Sequence, residues 1–175
     1  MPTNLLKKYP ELLEIGFLSE QQRKVSLRNV FERDIEDNSH FNFRTKQIRP
    51  IKKDGEASMQ TLFHHLTTQY IKDENGKKTG DKKFDIERSK RLHWIRYHIE
   101  EIKKTQMVVF SYEDRVKGKD VIRTYIYDIE QEYVIILEPQ RSKLDYYLLT
   151  AYYLNEPGGK KQIVKKQKRK LNELY

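Results

Sequence analysis

Apolar residues recur at helical intervals through the first two thirds of the chain and alternate with polar ones in the last third. Leu92, Ile95, Ile99 and Ile102 stand at i, i+3, i+7 and i+10, so Phe84 to Ile102 is expected to form one amphipathic helix. Met59, Leu62, Phe63, Leu66 and Tyr70 predict a helix over about 56–71, and Leu27, Val30 and Phe31 one over 25–35. Leu5 to Phe17 reads as short helical turns interrupted by Pro10. Phe41 to Ile51 partly alternates and is expected to be a strand ending near Pro50. Lys53, Asp54 and Gly55 read as a turn, and Asp73 to Lys83, with Asn75-Gly76 and many charges, as a flexible loop.

Past residue 105 the period falls to two. Met107–Tyr112, Val121–Tyr127, Tyr133–Leu137 and Tyr146–Leu154 are expected strands with hairpin-sized links, which most simply form an antiparallel meander. The expected fold is α+β, with N-terminal helices packed on one face of a four-stranded antiparallel sheet. Residues 1–55 form an N-terminal helical extension with a candidate strand, 56–155 the α+β domain, and 156–175 a basic tail. Pro157, Gly158 and Gly159 break the last strand, and Lys160 to Lys170 read as a solvated surface or frayed helix rather than a nucleic-acid arm.

Within this frame a few polar residues fall where chemistry is possible. Arg88, four residues before Leu92, lies on the apolar stripe. With Asp85 as N-cap it sits in the first turn, where the helix dipole disfavours a cation unless something anionic offsets it. Arg88, with Arg91 and His98 flanking the stripe, either meets an anion or packs at the core rim against a carboxylate. Along Val121–Tyr127, Arg123, Tyr125 and Tyr127 share one face, where rings interleaved with a cation can stack bases and meet phosphate, or simply pair across strands. In the last strand Tyr146, Leu148, Thr150 and Tyr152 are expected on one face, with Tyr147, Leu149, Ala151 and Tyr153 on the other. Thr150 is a small hydroxyl among apolar neighbours and a candidate phosphate donor. His64 and His65 are adjacent, not the i, i+4 pair of a helical metal site, so no metal is expected. No Walker loop, GxGxxG, HExxH or GxSxG occurs, and no cofactor is expected.

Lys+Arg of 35 against Asp+Glu of 26 gives a net charge of +9, which favours a polyanionic partner such as RNA. The absence of cysteine removes disulfides, thiolate metal sites and thiol nucleophiles and is compatible with a reducing cytoplasm. No apolar run approaches the ~18 residues of a membrane span, so a cytoplasmic protein without membrane contact is expected.

The run Arg88 to Ile95, RSKRLHWI, followed by β hairpins and a final strand reading YYLLTAYYL, resembles the phage-associated nucleases grouped with barnase, EndoU, colicin D and RelE. In that group a helix of Arg-x-x-Arg-Leu-x-Trp-Ile character precedes a four-stranded antiparallel sheet whose last strand reads Leu-[Ile/Leu]-Thr-Ala-Tyr. Arg88, Arg91, Leu92, Trp94, Ile95, Leu149, Thr150, Ala151 and Tyr152 match, and the resemblance covers about Leu62 to Leu154. It implies a metal-independent, toxin-like endoribonuclease acting on tRNA or mRNA, with an antitoxin or immunity protein as a further partner. Arg88, Arg91 and Arg123 would then stabilise phosphorane charge, Thr150 would bind phosphate, and His98 or His65 would transfer protons. Tyr125, Tyr127 and Tyr152 would contact the RNA. The alternative is a non-catalytic module of a phage or mobile element that binds nucleic acid or a protein on the same scaffold.

Overall fold

The fold is built on a six-stranded sheet; the computed structural model describes residues 3–53 and 56–175. A 3-10 turn, Asn4–Leu6, opens the described chain. Helix α1 (Glu20–Phe31) starts at a capping box: Ser19 Oγ accepts from the Gln22 N–H, and the Gln22 side chain accepts from the Ser19 N–H. A π-helical turn, Glu32–Glu36, follows it. Next come β1 (Asn42–Phe43), β2 (Lys46–Pro50) and a short antiparallel pair, β3 (Lys52–Lys53) with β4 (Glu56–Ala57). The expected turn at Lys53 to Gly55 falls on Asp54 and Gly55, outside the described residues. Helix α2 (Met59–Thr67), strands β5 (Thr68–Lys72) and β6 (Lys78–Phe84), and helices α3 (Ile86–Ser89) and α4 (Trp94–Ile99) complete the first part. The second part holds β7 (Met107–Val116), β8 (Lys119–Asp128), β9 (Tyr133–Pro139), β10 (Asp145–Tyr153) and α5 (Gly159–Lys168).

Strands β7 to β10 form the expected antiparallel meander, but the sheet is not four-stranded and not wholly antiparallel. Its order is β1-β2-β10-β9-β8-β7, with β2 parallel to β10 in the register Tyr146↔Ile48 and Leu148↔Pro50. The cause is burial: Phe43 and Ile48 join the core that contains Tyr146 and Leu148, and no local pattern announces a pairing across some hundred residues. Pairing stops at Pro50, which has no N–H to donate. Beyond Leu148, β10 has no strand on that side among the described residues, and α2 and α3 pack against it instead.

Two cores result. On one face Leu62, Leu66 and Ile95 from the helices, with Leu92 from the turn between α3 and α4, meet Ile135 and Leu148 from the sheet. On the other, Ile163 of α5 is buried with Phe110, Tyr125, Tyr127 and Val134. The basic tail is thus a docked amphipathic helix rather than a frayed one, and it covers the face that carries Tyr125 and Tyr127.

Three local expectations change. The single helix over Phe84–Ile102 is two short helices, because the Lys90 carbonyl accepts from the Leu13 N–H while the Trp94 N–H turns back to Arg91. The helix over 56–71 ends at Thr67, whose hydroxyl donates to the Phe63 carbonyl at 2.9 Å. Asp73–Lys83 is mostly hairpin: β5 pairs with β6, and Asp73 Oδ1 accepts from the Asn75 and Lys77 N–H groups across a turn where Gly76 has φ 74°. Finally, a β-bulge between Leu148 and Thr150 resets the alternation of β10. Tyr146, Leu148 and Ala151 therefore lie in the helix-side core, while Leu149 and Tyr152 lie with the α5-side core. Thr150 stands opposite Ile136 of that second face.

Candidate functional site

Where β10 loses its strand neighbour, a cleft of about 400 Å³ opens. Thr150, Tyr152 and Ile136 form its floor, the β5–β6 ribbon one wall, Asp85 and Arg88 another, and Glu156, Gly159 and Gln162 the side toward α5. Asp85 caps α3, accepting from the Arg88 N–H at 3.0 Å, and that cap fixes where Arg88 leaves the helix. The Arg88 guanidinium donates from Nη1 to the carbonyls of His65, at 3.0 Å, and Thr68, at 2.9 Å, and lies 5.6 Å from the centre of the Tyr152 ring. Those two carbonyls are free because α2 ends there, so the helix end and the arginine define each other. Burial pulls the Arg88 pKa down, and Asp85, with Oδ2 at 3.7 Å from Nε, works against that shift.

Two polar atoms in this wall are buried and hydrogen-bond to no protein group among the described residues: Arg88 Nε and Thr150 Oγ1. Around them stand three lysines of the ribbon. Lys72 and Lys78 face each other across the strands, and Lys82 pairs with Tyr70, over whose ring both Lys78 and Lys82 sit, at 5.4 and 4.9 Å. Like charges directly opposite are unfavourable; Glu156 accepts from Lys72 at 2.6 Å, and with Arg88 the cleft lining carries four cationic side chains against the carboxylates of Asp85 and Glu156. The field in the cleft is therefore positive.

His65 completes the site. Burial, then the charges of Lys82 and Arg88, push its pKa down to about 4, so it is neutral near pH 7. Its Nδ1 lies 3.2 Å from Lys82 Nζ. An ammonium can only donate, so Nδ1 accepts and the ring proton sits on Nε2. Burial also pushes the Tyr152 hydroxyl up, which keeps it a neutral donor.

Of the residues singled out from the sequence, Arg88, Thr150, His65 and Tyr152 meet here. The others do not. Arg91 is buried over the Tyr153 ring at 4.0 Å and bonded to Glu87 at 2.9 Å. His98 lies in the core, donating to the Trp94 carbonyl at 2.7 Å and to Asp128 at 2.8 Å. Tyr125 stacks on Phe110 and donates to Asp114 beneath α5; Lys166 donates to the same hydroxyl at 2.9 Å. Tyr127 is fully buried, and Arg123 is half-buried with Asp114 and Glu138 at 3.8 and 3.9 Å. The face on which Arg123, Tyr125 and Tyr127 were candidates for stacking bases is covered by α5. Lys72, Lys78 and Lys82 were missed because a charged, glycine-bearing run reads as loop, although Asn75-Gly76 between alternating segments is a hairpin signal.

The chain matches no protein-family model, no curated protein and no solved structure. Among the described residues no group of three or more His, Asp or Glu is placed to hold a metal ion, and no helix is long and apolar enough to cross a membrane.

Proposed function

We propose that the cleft binds a phosphodiester of single-stranded RNA and cleaves it by attack of the ribose 2′-oxygen, as a metal-independent endoribonuclease. The observation that carries this reading is the presence of two unsatisfied donors, Arg88 Nε and Thr150 Oγ1, in one cleft with the lysines of the β5–β6 ribbon. A buried polar group without a partner costs about 1–3 kcal/mol, and a phosphate accepting from both relieves that cost along with the lysine repulsion. Tyr152, and Tyr70 on the ribbon, offer rings to adjacent bases.

The chemistry follows from the same groups. A phosphate draws Lys82 toward its oxygens and away from His65 Nδ1. Nδ1 then takes the 2′-OH proton, and the 2′-oxygen attacks phosphorus. Arg88, Thr150 and Lys82 stabilise the extra charge of the phosphorane. The bond to the 5′-oxygen breaks, leaving a 2′,3′-cyclic phosphate and a 5′-hydroxyl whose proton comes from water, and His65 returns its proton to solvent.

One observation favours a second reading, a binding module: among the described residues His65 is the one imidazole lining the cleft, and with its pKa pushed down to about 4 it is neutral near pH 7, so no imidazolium protonates the leaving oxygen. Cleavage of RNA in EDTA by wild type, His65→Ala and Arg88→Ala decides between the two. Catalysis predicts a cyclic-phosphate product, a loss of about 10²–10⁴-fold for His65→Ala and about 10²–10³-fold for Arg88→Ala. Wild-type protein that binds RNA in a salt-dependent way but never cleaves it selects the binding module.

A further inference from the structure

Basic residues continue past the cleft. Helix α5 buries Ile163 and ties Lys166 down to Asp114 and to Tyr125, which fixes the helix's rotation on the sheet. At 100° per residue, Lys161, Lys165 and Lys168 then fall together on the side opposite Ile163. All three are exposed, and none has a carboxylate within ion-pair distance among the described residues. Lys160, by contrast, is paired with Glu132 at 2.6 Å, and Lys166 is half-buried. Successive lysines of the stripe are separated by one helical turn, about 5–6 Å. The stripe begins on the turn of α5 whose Gly159 and Gln162 line the cleft.

We infer that the outward stripe Lys161, Lys165 and Lys168 of α5 binds the backbone of the RNA strand that occupies the cleft, holding phosphates on one side of the bound linkage. The inference rests on the reading of the cleft as a phosphodiester site. Three like charges at helical neighbour spacing repel one another in the free protein, and a phosphate row removes that repulsion and releases counterions. The ribbon lysines, Lys72 and Lys78, take the strand on the other side of the cleft, so the protein reads a run of nucleotides rather than one linkage. The partner this fits is a flexible single strand, because the path bends from a cleft onto a helix surface.

Binding of 2′-O-methyl oligouridylates tests this, since they cannot be cleaved at the 2′-oxygen. A dinucleotide reaches only the cleft, and a strand of about 15 nucleotides reaches past it. For the K161Q/K165Q/K168Q variant the long strand is expected to bind about tenfold more weakly at moderate salt, with the slope of log K against log salt shallower by about 2, while dinucleotide binding is unchanged. Lys165→Glu alone repeats the test at one exposed side chain should the triple variant fail to fold. An unchanged slope, or a wild type that binds the long strand no more tightly than the dinucleotide, overturns the inference and leaves the cleft reading standing. A wild type that binds the long strand but not the dinucleotide overturns the reading of the cleft, and with it the inference, whatever the slope of the variant.

Discussion

His98 and His65 each stand in a cluster of charged groups, and the two clusters differ in how completely their hydrogen bonds are filled. Asp128 accepts from His98 Nε2 at 2.8 Å, Tyr9 Oη at 2.6 Å, Lys103 Nζ at 3.0 Å and the Gln131 N–H at 3.0 Å. Burial opposes the Asp128 charge, yet those hydrogen bonds outweigh it and hold the carboxyl well below its ordinary range. A carboxylate has about four acceptor sites, and all are taken. In the cleft, Arg88 Nε and Thr150 Oγ1 are left over among the described residues. A filled cluster has nothing to offer a ligand, whereas an unfilled one gains when a ligand arrives. His98 is therefore read as a clamp that joins α4 to the end of β8, and His65 as part of a working site.

The largest effect should fall on the filled cluster. Asp128→Ala removes the buried acceptor shared by His98, Tyr9 and Lys103, leaves Lys103 with Glu130 as its one ion-pair partner among the described residues, and is expected to cost about 3–5 kcal/mol in urea unfolding. RNA affinity per folded molecule should hardly change, and a loss of affinity at full stability would remove the contrast between the two clusters.

A pH effect of similar size comes from His93, buried beside the N-terminal segment with neither ring nitrogen hydrogen-bonded among the described residues. Burial pushes its pKa down to about 4 against an ordinary value near 6.5. The unfolded chain therefore binds the proton first, and stability falls as pH drops from about 6.5 to 4, by up to about 3 kcal/mol. His65, also lowered, adds in the same direction. Urea midpoints across this range should flatten in His93→Gln, and bound phosphate should diminish the part due to His65.

The smallest effect on stability makes the sharpest test. Thr150→Val keeps the shape and removes the unpaired hydroxyl, so stability is expected to stay level or rise by about 1 kcal/mol while RNA binding falls. If binding is unaltered, Thr150 belongs to the strand and not to the site.

Much of this was legible in the sequence where neighbours along the chain decide the outcome. The alternation of β7 to β9 and the N-cap at Asp85 are local, and so is the awkward placement of Arg88 in a first helical turn. What could not be read depends on distant partners. The Leu13 N–H breaks the helix at Lys90, Ile48 finds Tyr146 in parallel, and the bulge after Leu148 turns the rest of β10 over. The bulge also altered the site: simple alternation placed Thr150 and Tyr152 on one face with Tyr146 and Leu148, which are core, while the fold keeps Thr150 with Tyr152 but turns the pair away from that core into the cleft. Tyr125 and Tyr127 misled for a related reason, since a basic stretch gave no sign that Ile163 would anchor it over them.

The parallel contact between β2 and β10 joins residues nearly a hundred positions apart, and the cleft is lined by groups from His65 to Gln162. Such contacts form late, because a long loop must close before they reward it. During synthesis, then, a chain that has left the ribosome only as far as β9 has α1 to α4 and strands β7 to β9 of the meander, but lacks the Thr150 and Tyr152 of the cleft floor and the α5 side. The cleft is thus a property of the finished molecule, and a chain truncated before β10 is expected to lack it however well its helices form.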